Sequence, residues 1–500
     1  MKKIISLLLA VTMLMGVAVF ASCGNNGNTD VTTPLITGDG STEGTTASQT
    51  GAPTVPTDPN APMAGYENVD FGGHTFTFAG YINATNGWPD YEVYAEEDRQ
   101  GILDAAIIER NDILFENYNC FIAVEDIELG TLKNDFATNQ NRIDLVNYTY
   151  SPGSVGDGNY YNYYSLDIDL SQPWWDQGYV RDITIDNQIY SMIGAYSLVS
   201  FDATWVLFWN KTVQEQDEDI RDIDFYELVE NNEWTLDKFL EIIKKAHSDD
   251  GDQVMTTGTG DIFGYVSSTF GIRGLYFGAG QGYVNKTENK TGVSSFDHAF
   301  TDAAVTATNK VIEIYNNAGV TITDYKTVDS QIRGGLTLFA PETLNKASMY
   351  AGKQGASTEA IQIGILPHPK LSADQAEYKH NVDNHLFYTC IPKTCTDIDR
   401  ISDFMTLYAY HSYSTVYEKY LELYKYTYTT DTKAADMVDI ILKSRSFDLG
   451  YLFYWAGVDT EYINSVREGR NVIAELSGSL GSAIIAAAEN YQQWLHEKND

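Results

Sequence analysis

The stretch GILDAAIIERNDILFENYNCFIAVEDIEL, residues 101–129, sets a pattern that recurs along the chain. Its first part predicts a helix over residues 101–118, because apolar residues three or four positions apart lie on one helix face. The residues on that face are Leu103, Ala106, Ile107 and Leu114. Its second part, residues 120–129, is typical of a β-strand. Helices that alternate with strands indicate an α/β protein.

The same alternation continues on both sides of that stretch. Residues 74–80, HTFTFAG, alternate between apolar and polar positions like a strand with one buried face. Further strands are predicted over residues 142–148, 188–210, 360–366 and 385–391, and helices over residues 235–247, over residues 297–316 and over most of the chain from residue 397. Strands separated by helices predict an α/β fold with largely parallel sheets.

Composition narrows the class of function. The chain has 500 residues, which allows about two to four domains or one large bilobal body, and 43% of them are hydrophobic, enough for a core. Its 69 acidic and 32 basic residues give a net charge of −37, so we expect no nucleic-acid partner, because phosphate backbones are repelled. The 35 Tyr and 8 Trp either fill a core or line a surface that grips ligands with apolar faces and hydroxyl groups.

The first residues predict export and lipid attachment. Two lysines precede an uncharged, mostly apolar run over residues 4–20, which is the order of a signal peptide. The sequence Phe-Ala-Ser-Cys that ends at Cys23 resembles the bacterial lipobox, which usually has Leu where Phe20 stands. The resemblance implies cleavage of residues 1–22 and a lipid on Cys23. The alternative is a plain secretory signal with an incidental cysteine.

A stalk is predicted between the lipid and the folded body. Residues 24–65 contain no aromatic residue, no Lys and no Arg, and they are rich in Thr, Gly, Pro, Asn and Ser. Such a segment buries too little surface to offset its ordering entropy. We therefore expect a lipid-anchored, disordered stalk over residues 23–65 and a folded part that begins near Tyr66.

Recognisable catalytic motifs are missing from the sequence. It has no phosphate-binding loop, dinucleotide fingerprint, HExxH helix or nucleophile elbow, so we predict no catalytic residue, no cofactor and no metal. His380 and His385 are five residues apart, which does not suit a metal pair on a helix, and we expect them in a surface loop. Residues 248–252 form an Asp-rich turn without the closing Glu of a calcium loop, and a structural cation remains the alternative.

The remaining cysteines do not form a disulfide framework. Besides Cys23 the chain has Cys120, Cys390 and Cys395, an odd number. We predict buried or free thiols. A pair between Cys390 and Cys395 is the alternative, since only four residues separate them.

Three segments are LDAAIIERN at residues 103–111, FWNK at residues 208–211 and IGILPHPK at residues 363–370. They resemble segments of the carbohydrate-binding, family 1-like solute-binding lipoproteins of bacterial ABC importers. These segments occur in the family's order from about Tyr66 to the end of the chain, behind a lipobox and a stalk. The order is more specific than any one of the segments.

The resemblance implies a type II periplasmic-binding-protein-like fold, with two α/β lobes joined by crossover strands and a ligand cleft between them. Lobe 1 is expected over residues 66–205 and 367–415, and lobe 2 over residues 206–366 and 416–500. Ligand binding would close the lobes by a hinge, and the closed form would dock a membrane permease. The resemblance implies no catalysis by this chain.

A sugar presents apolar C–H faces and hydroxyl edges, which aromatic and hydrogen-bonding side chains can contact. The candidates are Trp88, Tyr148, Asp202, Thr204, Arg273, Tyr276 and Glu342. The first two follow predicted strands. The resemblance places the two crossover residues, Tyr276 and Glu342 at the cleft, and Arg273 lies close to Tyr276 in the sequence. Trp205 suits the core or the cleft equally well.

The sequence thus predicts a monomeric, lipid-anchored subunit on the extracytoplasmic face of a bacterial membrane, which binds a sugar or oligosaccharide and delivers it to an ABC permease. Its only membrane contact would be the lipid on Cys23. One alternative is a lipoprotein glycan hydrolase, which needs two carboxyl groups about 5–9.5 Å apart. The other is a non-catalytic surface adhesion lipoprotein without a cleft.

Overall fold

Strands and helices alternate along the chain in the computed structural model, which describes residues 58–80, 93, 95, 101–127, 129–148, 152–352, 361–429 and 432–499. These residues belong to one compact unit, Pro53–Asp500. The strands described are β1 (His74–Gly80), β2 (Cys120–Asp126), β3 (Leu145–Tyr148), β4 (Trp205–Asn210), β5 (Phe263–Ser267), β6 (Val284–Glu288), β7 (Ser294–His298), β8 (Val320–Ile322), β9 (Thr337–Thr343), β10 (Ile363–Leu366), β11 (His380–Asn381), β12 (Tyr388–Cys390) and β13 (Arg445–Ser446).

The helices described are α1 (Ile102–Tyr118), α2 (Leu129–Ala137), α3 (Gln177–Ile183), α4 (Leu198–Asp202), α5 (Lys211–Gln216), α6 (Phe225–Glu230), α7 (Leu236–Lys245), α8 (Phe270–Gly278), α9 (Asp302–Tyr315), α10 (Tyr325–Arg333), α11 (Lys346–Tyr350), α12 (Ile398–Ser412), α13 (Glu418–Glu422), α14 (Lys433–Lys443), α15 (Leu449–Leu452), α16 (Val458–Arg467) and α17 (Val472–Asn499). Two π-helical turns, Tyr413–Tyr417 and Leu423–Thr427, flank α13.

The first large sheet has the strand order β12-β3-β1-β2. Strand β1 pairs in parallel with β2 and β3, whereas β12 pairs antiparallel with β3. Phe76 and Phe78 point to the same face of β1 and are fully buried, as the alternating pattern predicts. The ring of Phe76 stacks on Phe404 of α12 with 3.6 Å between ring centroids. Helix α12 therefore covers this face of the sheet.

The second large sheet has the strand order β10-β4-β9-β5-β8. Strand β5 pairs in parallel with β8 and β9, and β4 pairs antiparallel with β9 and β10. Every residue of β4, β5, β9 and β10 is buried. Helices cover both faces of such a sheet, so its strands are buried along their whole length and show no alternation of buried and exposed residues.

Local signals set the ends of the helices. Thr235 caps the start of α7, because its hydroxyl accepts a hydrogen bond from the amide of Lys238 at 3.3 Å. Asn119 ends α1 with φ 53°, the left-handed conformation that asparagine tolerates at a helix end. These two helices begin and end within two residues of the predicted bounds.

Two predictions about strands are wrong. The apolar stretch 188–210 forms a strand only over Trp205–Asn210, and part of the rest is helix α4. All residues from 189 to 210 are buried. The apolar composition of this stretch therefore reflects its burial and does not indicate a strand. The sheets are also mixed, because β4, β10 and β12 run antiparallel to their neighbours.

The predicted α/β class is confirmed by this architecture. Strand β12 joins the sheet of β1 to β3, and β10 joins the sheet that contains β4 and β5. The exact lobe boundaries stay a prediction. Among the described residues, no helix combines the length and apolar composition needed to cross a bilayer. The predicted signal peptide, Cys23 and nearly all of the predicted stalk lie outside the described residues.

The predicted buried or free thiols are confirmed. Cys120, Cys390 and Cys395 are all buried, and none forms a disulfide. Burial raises the pKa of the Cys120 thiol to about 12 and that of Cys395 to about 11. Such thiols are protonated at neutral pH and act as small apolar groups.

Candidate functional site

One edge of the second sheet collects polar and aromatic side chains. The parallel strands β5 and β9 end there at Ser267 and Thr343, and β4 begins there at Trp205, opposite Thr343. Ligands of open α/β sheets bind outside the carboxyl ends of the parallel strands. Thr204 forms an isolated bridge with Val382, and from there the chain leads to β12 of the first sheet. The segment after Val382 therefore connects the edges of the two sheets.

Aromatic rings form the apolar part of this edge. Phe270, the first residue of α8, is 43% exposed, and its ring centroid lies 5.7 Å from that of the buried Trp205. Tyr454 is 57% exposed. Its backbone has φ 56°, a conformation that is uncommon for a residue other than glycine and that clusters at functional sites. The ring of Tyr454 is therefore exposed to solvent although its backbone conformation is strained.

Hydrogen bonds connect these rings through the segment that follows Val382. The indole of Trp205 donates to Asp383 Oδ2 at 3.0 Å, and the ring of His385 shares a 2.7 Å hydrogen bond with Asp383 Oδ1. The side-chain amide of Asn384 donates to the hydroxyl of Tyr454. We call the exposed part of this group, Phe270, Asn384, His385 and Tyr454, the Phe270–Tyr454 surface.

The buried side chain of Arg273 packs behind this surface and forms hydrogen bonds with two neighbouring residues. Its Nε and Nη2 atoms each donate to a different oxygen of Asp459 at 2.7 Å, and its Nη1 donates to the hydroxyl of Tyr451 at 2.9 Å. The guanidinium lies 3.9 Å from the ring centroid of Tyr451 and 5.3 Å from that of Phe270. The Tyr451 hydroxyl also accepts the backbone amide of Asn384 at 3.1 Å. Arg273 therefore fixes the positions of residues on both sides of the surface.

The acidic groups at this edge have pKa values that are displaced in opposite directions. Burial raises the pKa of Glu342 to about 7, against the lowering effect of the Lys346 charge. Burial also acts to raise the pKa of Asp383, but the hydrogen bond from His385 and the charge of Arg273 outweigh it and leave that pKa below its ordinary value. Glu342 can therefore donate a hydrogen bond near neutral pH, whereas Asp383 only accepts.

The His385–Asp383 hydrogen bond should make stability depend on pH. The hydrogen bond that the His385 ring donates to Asp383 raises the pKa of His385. Its contribution is therefore complete below about pH 6.5 and is lost as the pH rises through the raised pKa. The lowered pKa of Asp383 gives a contribution that is present above about pH 4 and is lost as the pH falls through that pKa. We expect His385→Gln to flatten the decline in melting temperature above about pH 6.5, measured by scanning calorimetry. Identical profiles for the variant and the wild type would contradict this assignment.

The structure brings only some of the predicted contacts to this edge. Thr204, Arg273 and Glu342 lie there, and the buried Thr204 hydroxyl has no hydrogen-bond partner among the described residues. Tyr148 ends β3 in the first sheet, half-buried, and its hydroxyl shares a hydrogen bond with that of Tyr160. Trp88 lies outside the described residues.

Two predicted contacts lie in the interior of the structure. Asp202 accepts hydrogen bonds from the hydroxyls of Tyr420 and Tyr424. Tyr276 is fully buried, and its hydroxyl donates to the carbonyl of Gly282 at 3.2 Å. The assignment of these two residues, and of the other predicted contacts, as ligand-binding stays a prediction.

Of the two histidines predicted in a surface loop, one lies in the interior. His380 is fully buried, and its Nε2 accepts the backbone amide of His368 at 3.3 Å, so its placement on the surface is wrong. His385 is half-exposed, as predicted, but it belongs to the site. At the Asp-rich turn, the carboxylates of Asp249, Asp250 and Asp252 lie within 4.8 Å of one another and are exposed.

Known proteins resemble this chain in structure and not in sequence. No protein-family model matches the chain, and no curated protein matches its sequence. A cyclo/maltodextrin-binding protein solved with maltotetraose shares 12% identity with a TM-score of 0.51, covering 85% of this chain and 97% of that one. UspC of M. tuberculosis shares 11% identity with a TM-score of 0.52, covering 83% of this chain and 100% of that one. This chain has the fold of these two solved proteins, a mixed α/β architecture. The predicted two-lobed α/β class is thereby confirmed.

Most of the Phe270–Tyr454 surface was not predicted from the sequence. Asn384 and His385 lie in a short segment without a recognisable motif. Tyr454 lies in the apolar run LFYW, and such a run is more typical of a core than of an exposed ring. One signal was available, because the glycine in Trp-Ala-Gly457 follows an aromatic run and marks a turn. Ala456 and Gly457 do adopt positive φ angles of 52° and 61° next to Tyr454.

Proposed function

We propose that this chain is a lipid-anchored, extracytoplasmic subunit of an ABC importer that captures a sugar or oligosaccharide and delivers it to a membrane permease. The observation that carries the proposal is the pair of exposed rings, Phe270 and Tyr454, beside the hydrogen-bonding groups of Asn384 and His385. An aromatic face stacks on the C–H face of a sugar, and amide and imidazole groups bind its hydroxyls.

The charges around this surface favour an uncharged glycan. Arg273 is paired with both oxygens of Asp459, and His385 with Asp383, so no cation of the surface itself is left over for an acidic sugar. The chain also carries a net charge of −37, which repels anions at a distance. The sugar of the proposal is therefore neutral.

A binding panel tests the proposal. The purified full chain is mixed with maltotetraose, other neutral oligosaccharides, monosaccharides and short peptides, and its melting temperature and tryptophan fluorescence are recorded. A ligand at 100 times its dissociation constant adds about 2.7 kcal/mol to the free energy of unfolding. We expect a shift with one class of glycan and full recovery of that glycan by chromatography. The absence of a shift with every glycan would overturn the sugar assignment and favour the adhesion alternative.

A second candidate, glycan hydrolysis, is favoured by the opposite pKa displacements of Glu342 and Asp383, since a proton donor and an ionised partner are what such an enzyme needs. Both oxygens of Asp383 are engaged by Trp205 and His385, which favours a structural role for that carboxylate. Release of shortened glycan by the wild type, abolished in Glu342→Gln, would decide for the hydrolase.

The predicted lipid anchor has its own test. Cys23→Ser removes the thiol that the lipobox resemblance implies is acylated. We expect the wild type, expressed in a bacterium with labelled palmitate, to carry the label and partition into detergent, and the variant to do neither. Cys120→Ser is the matched control, because that thiol is buried in the folded body and should leave labelling unchanged. Equal labelling of wild type and Cys23→Ser would contradict the anchor.

A further inference from the structure

A cavity of about 350 Å³ lies between α3, β6, β13 and α15. It shares no lining residue with the Phe270–Tyr454 surface. Its charged lining residues are Arg181, Asp182, Lys286, Lys379 and Asp448. The volume is within the range of small-molecule sites and suits a molecule the size of a monosaccharide.

The charge of this lining differs from that of the whole chain. Three cationic side chains, Arg181, Lys286 and Lys379, face two carboxylates, Asp182 and Asp448. In the full sequence acidic residues outnumber basic ones by 69 to 32. A concave wall with more cations than anions in such an acidic chain is a local exception, and low-dielectric walls strengthen its field.

Both carboxylates of the cavity are already engaged. Asp448 Oδ2 accepts the backbone amides of Tyr283 and Val284 at 2.8 and 3.2 Å, and its Oδ1 accepts that of Tyr451 at 2.9 Å. Asp182 accepts from Arg181 Nε and Nη2 at 2.7 and 3.0 Å, and from the amide of Phe447 at 3.0 Å. These carboxylates therefore hold the backbone around the cavity in place.

The two lysines are in different situations. Lys286 Nζ donates to the carbonyls of Arg181 and Thr184 and pairs with Glu288 at 3.1 Å, which engages all its donors. Lys379 Nζ donates once, to the carbonyl of Gln281 at 3.2 Å. Among the described residues Lys379 forms no ion pair, although the charges of Asp448 and Asp182 are near enough to act on its pKa. Its ammonium group therefore has donors to spare.

Burial supports the same conclusion. It lowers the pKa of both lysines, more than nearby carboxylates raise it. Lys379 is partly buried. An ammonium group that has lost part of its hydration and has no ion-pair partner is destabilised, and an anion placed against it would offset part of that loss.

We propose that this cavity is a second ligand site, which binds a small organic anion with its carboxylate or phosphate group against Lys379. The rest of the molecule, of monosaccharide size, fills the space lined by Asn285, Ser446 and Leu449. The site is independent of the sugar bound at the Phe270–Tyr454 surface, so either proposal can fail alone.

Calorimetric titration of the full chain tests the site, with sodium D-glucuronate, inorganic phosphate and glucose as probes at constant ionic strength. We expect glucuronate to bind and glucose, which lacks the anionic group, not to bind to this cavity. Binding of phosphate alone would assign the cavity to the inorganic oxyanion and would overturn the organic ligand. Absence of binding by both anions would overturn the site.

Variants locate the binding. Lys379→Gln should raise the dissociation constant for glucuronate by about 10- to 100-fold, because a hydrogen bond to a charged group is lost. Lys379→Arg keeps a cation and should retain binding. Lys290→Gln removes the same charge from an exposed position and is the matched control. Equal loss in Lys379→Gln and Lys290→Gln, or no loss in either, would overturn the assignment to this cavity.

Discussion

Phe270→Ala should weaken binding of the glycan found in the panel by about 10- to 100-fold, which corresponds to about 1.4–2.8 kcal/mol of binding free energy. The ring is exposed at the start of α8, and it also lies near the ring of Trp205 and the guanidinium of Arg273. Alanine removes the stacking face and leaves the neighbouring hydrogen-bonding groups in place. Isothermal titration with the wild type and the variant measures the ratio of dissociation constants.

Tyr454→Ala should have an effect of similar size. A positive φ is unfavourable for both tyrosine and alanine, so the backbone strain at this position is retained in the variant. Phe121→Ala and Tyr325→Ala are matched controls, because both rings are exposed and lie outside the site. Unchanged affinity in both Phe270→Ala and Tyr454→Ala, with normal melting temperatures, would show that the glycan binds elsewhere.

Arg445→Met should lower the free energy of unfolding by about 3–5 kcal/mol, because it leaves a buried carboxylate without its partner. Arg445 Nη1 pairs with Asp176 at 2.5 Å, and the two side chains are only 2% and 7% exposed. Its Nη2 donates to the carbonyl of Ser200 at 2.7 Å, and its guanidinium lies 4.4 Å from the ring centroid of Phe201. One side chain thus ties β13 to two distant segments.

Urea denaturation followed by fluorescence gives this free energy. Lys419→Met is the matched control, since Lys419 pairs with Glu422 at 2.8 Å but both side chains are about half exposed. Exposed pairs contribute about 0–1 kcal/mol, so the control should change stability little. A loss below about 1 kcal/mol for Arg445→Met would mean that Asp176 finds other partners in the variant.

The site was harder to predict than the fold because its parts are distant in sequence. Arg273 was predicted as a possible ligand contact, and the structure places it in a pair with Asp459, 186 residues away. The segment around Asp383 reaches Trp205, 178 residues away. A local pattern carries no information about such partners, since packing of whole elements brings them together.

The sequence by itself determined the alternation of strand and helix, because the spacing of apolar residues that marks each element is visible within a short stretch of sequence. It thereby predicted β1 over its full length, α1 and α7 to within two residues, and the α/β class. The tertiary structure decided which apolar runs become strands, as residues 188–210 show, because full burial hides the period. It also decided that Phe270 and Tyr454 face solvent while Tyr276 fills the core, since all three are aromatic residues and only the packing around each one separates them.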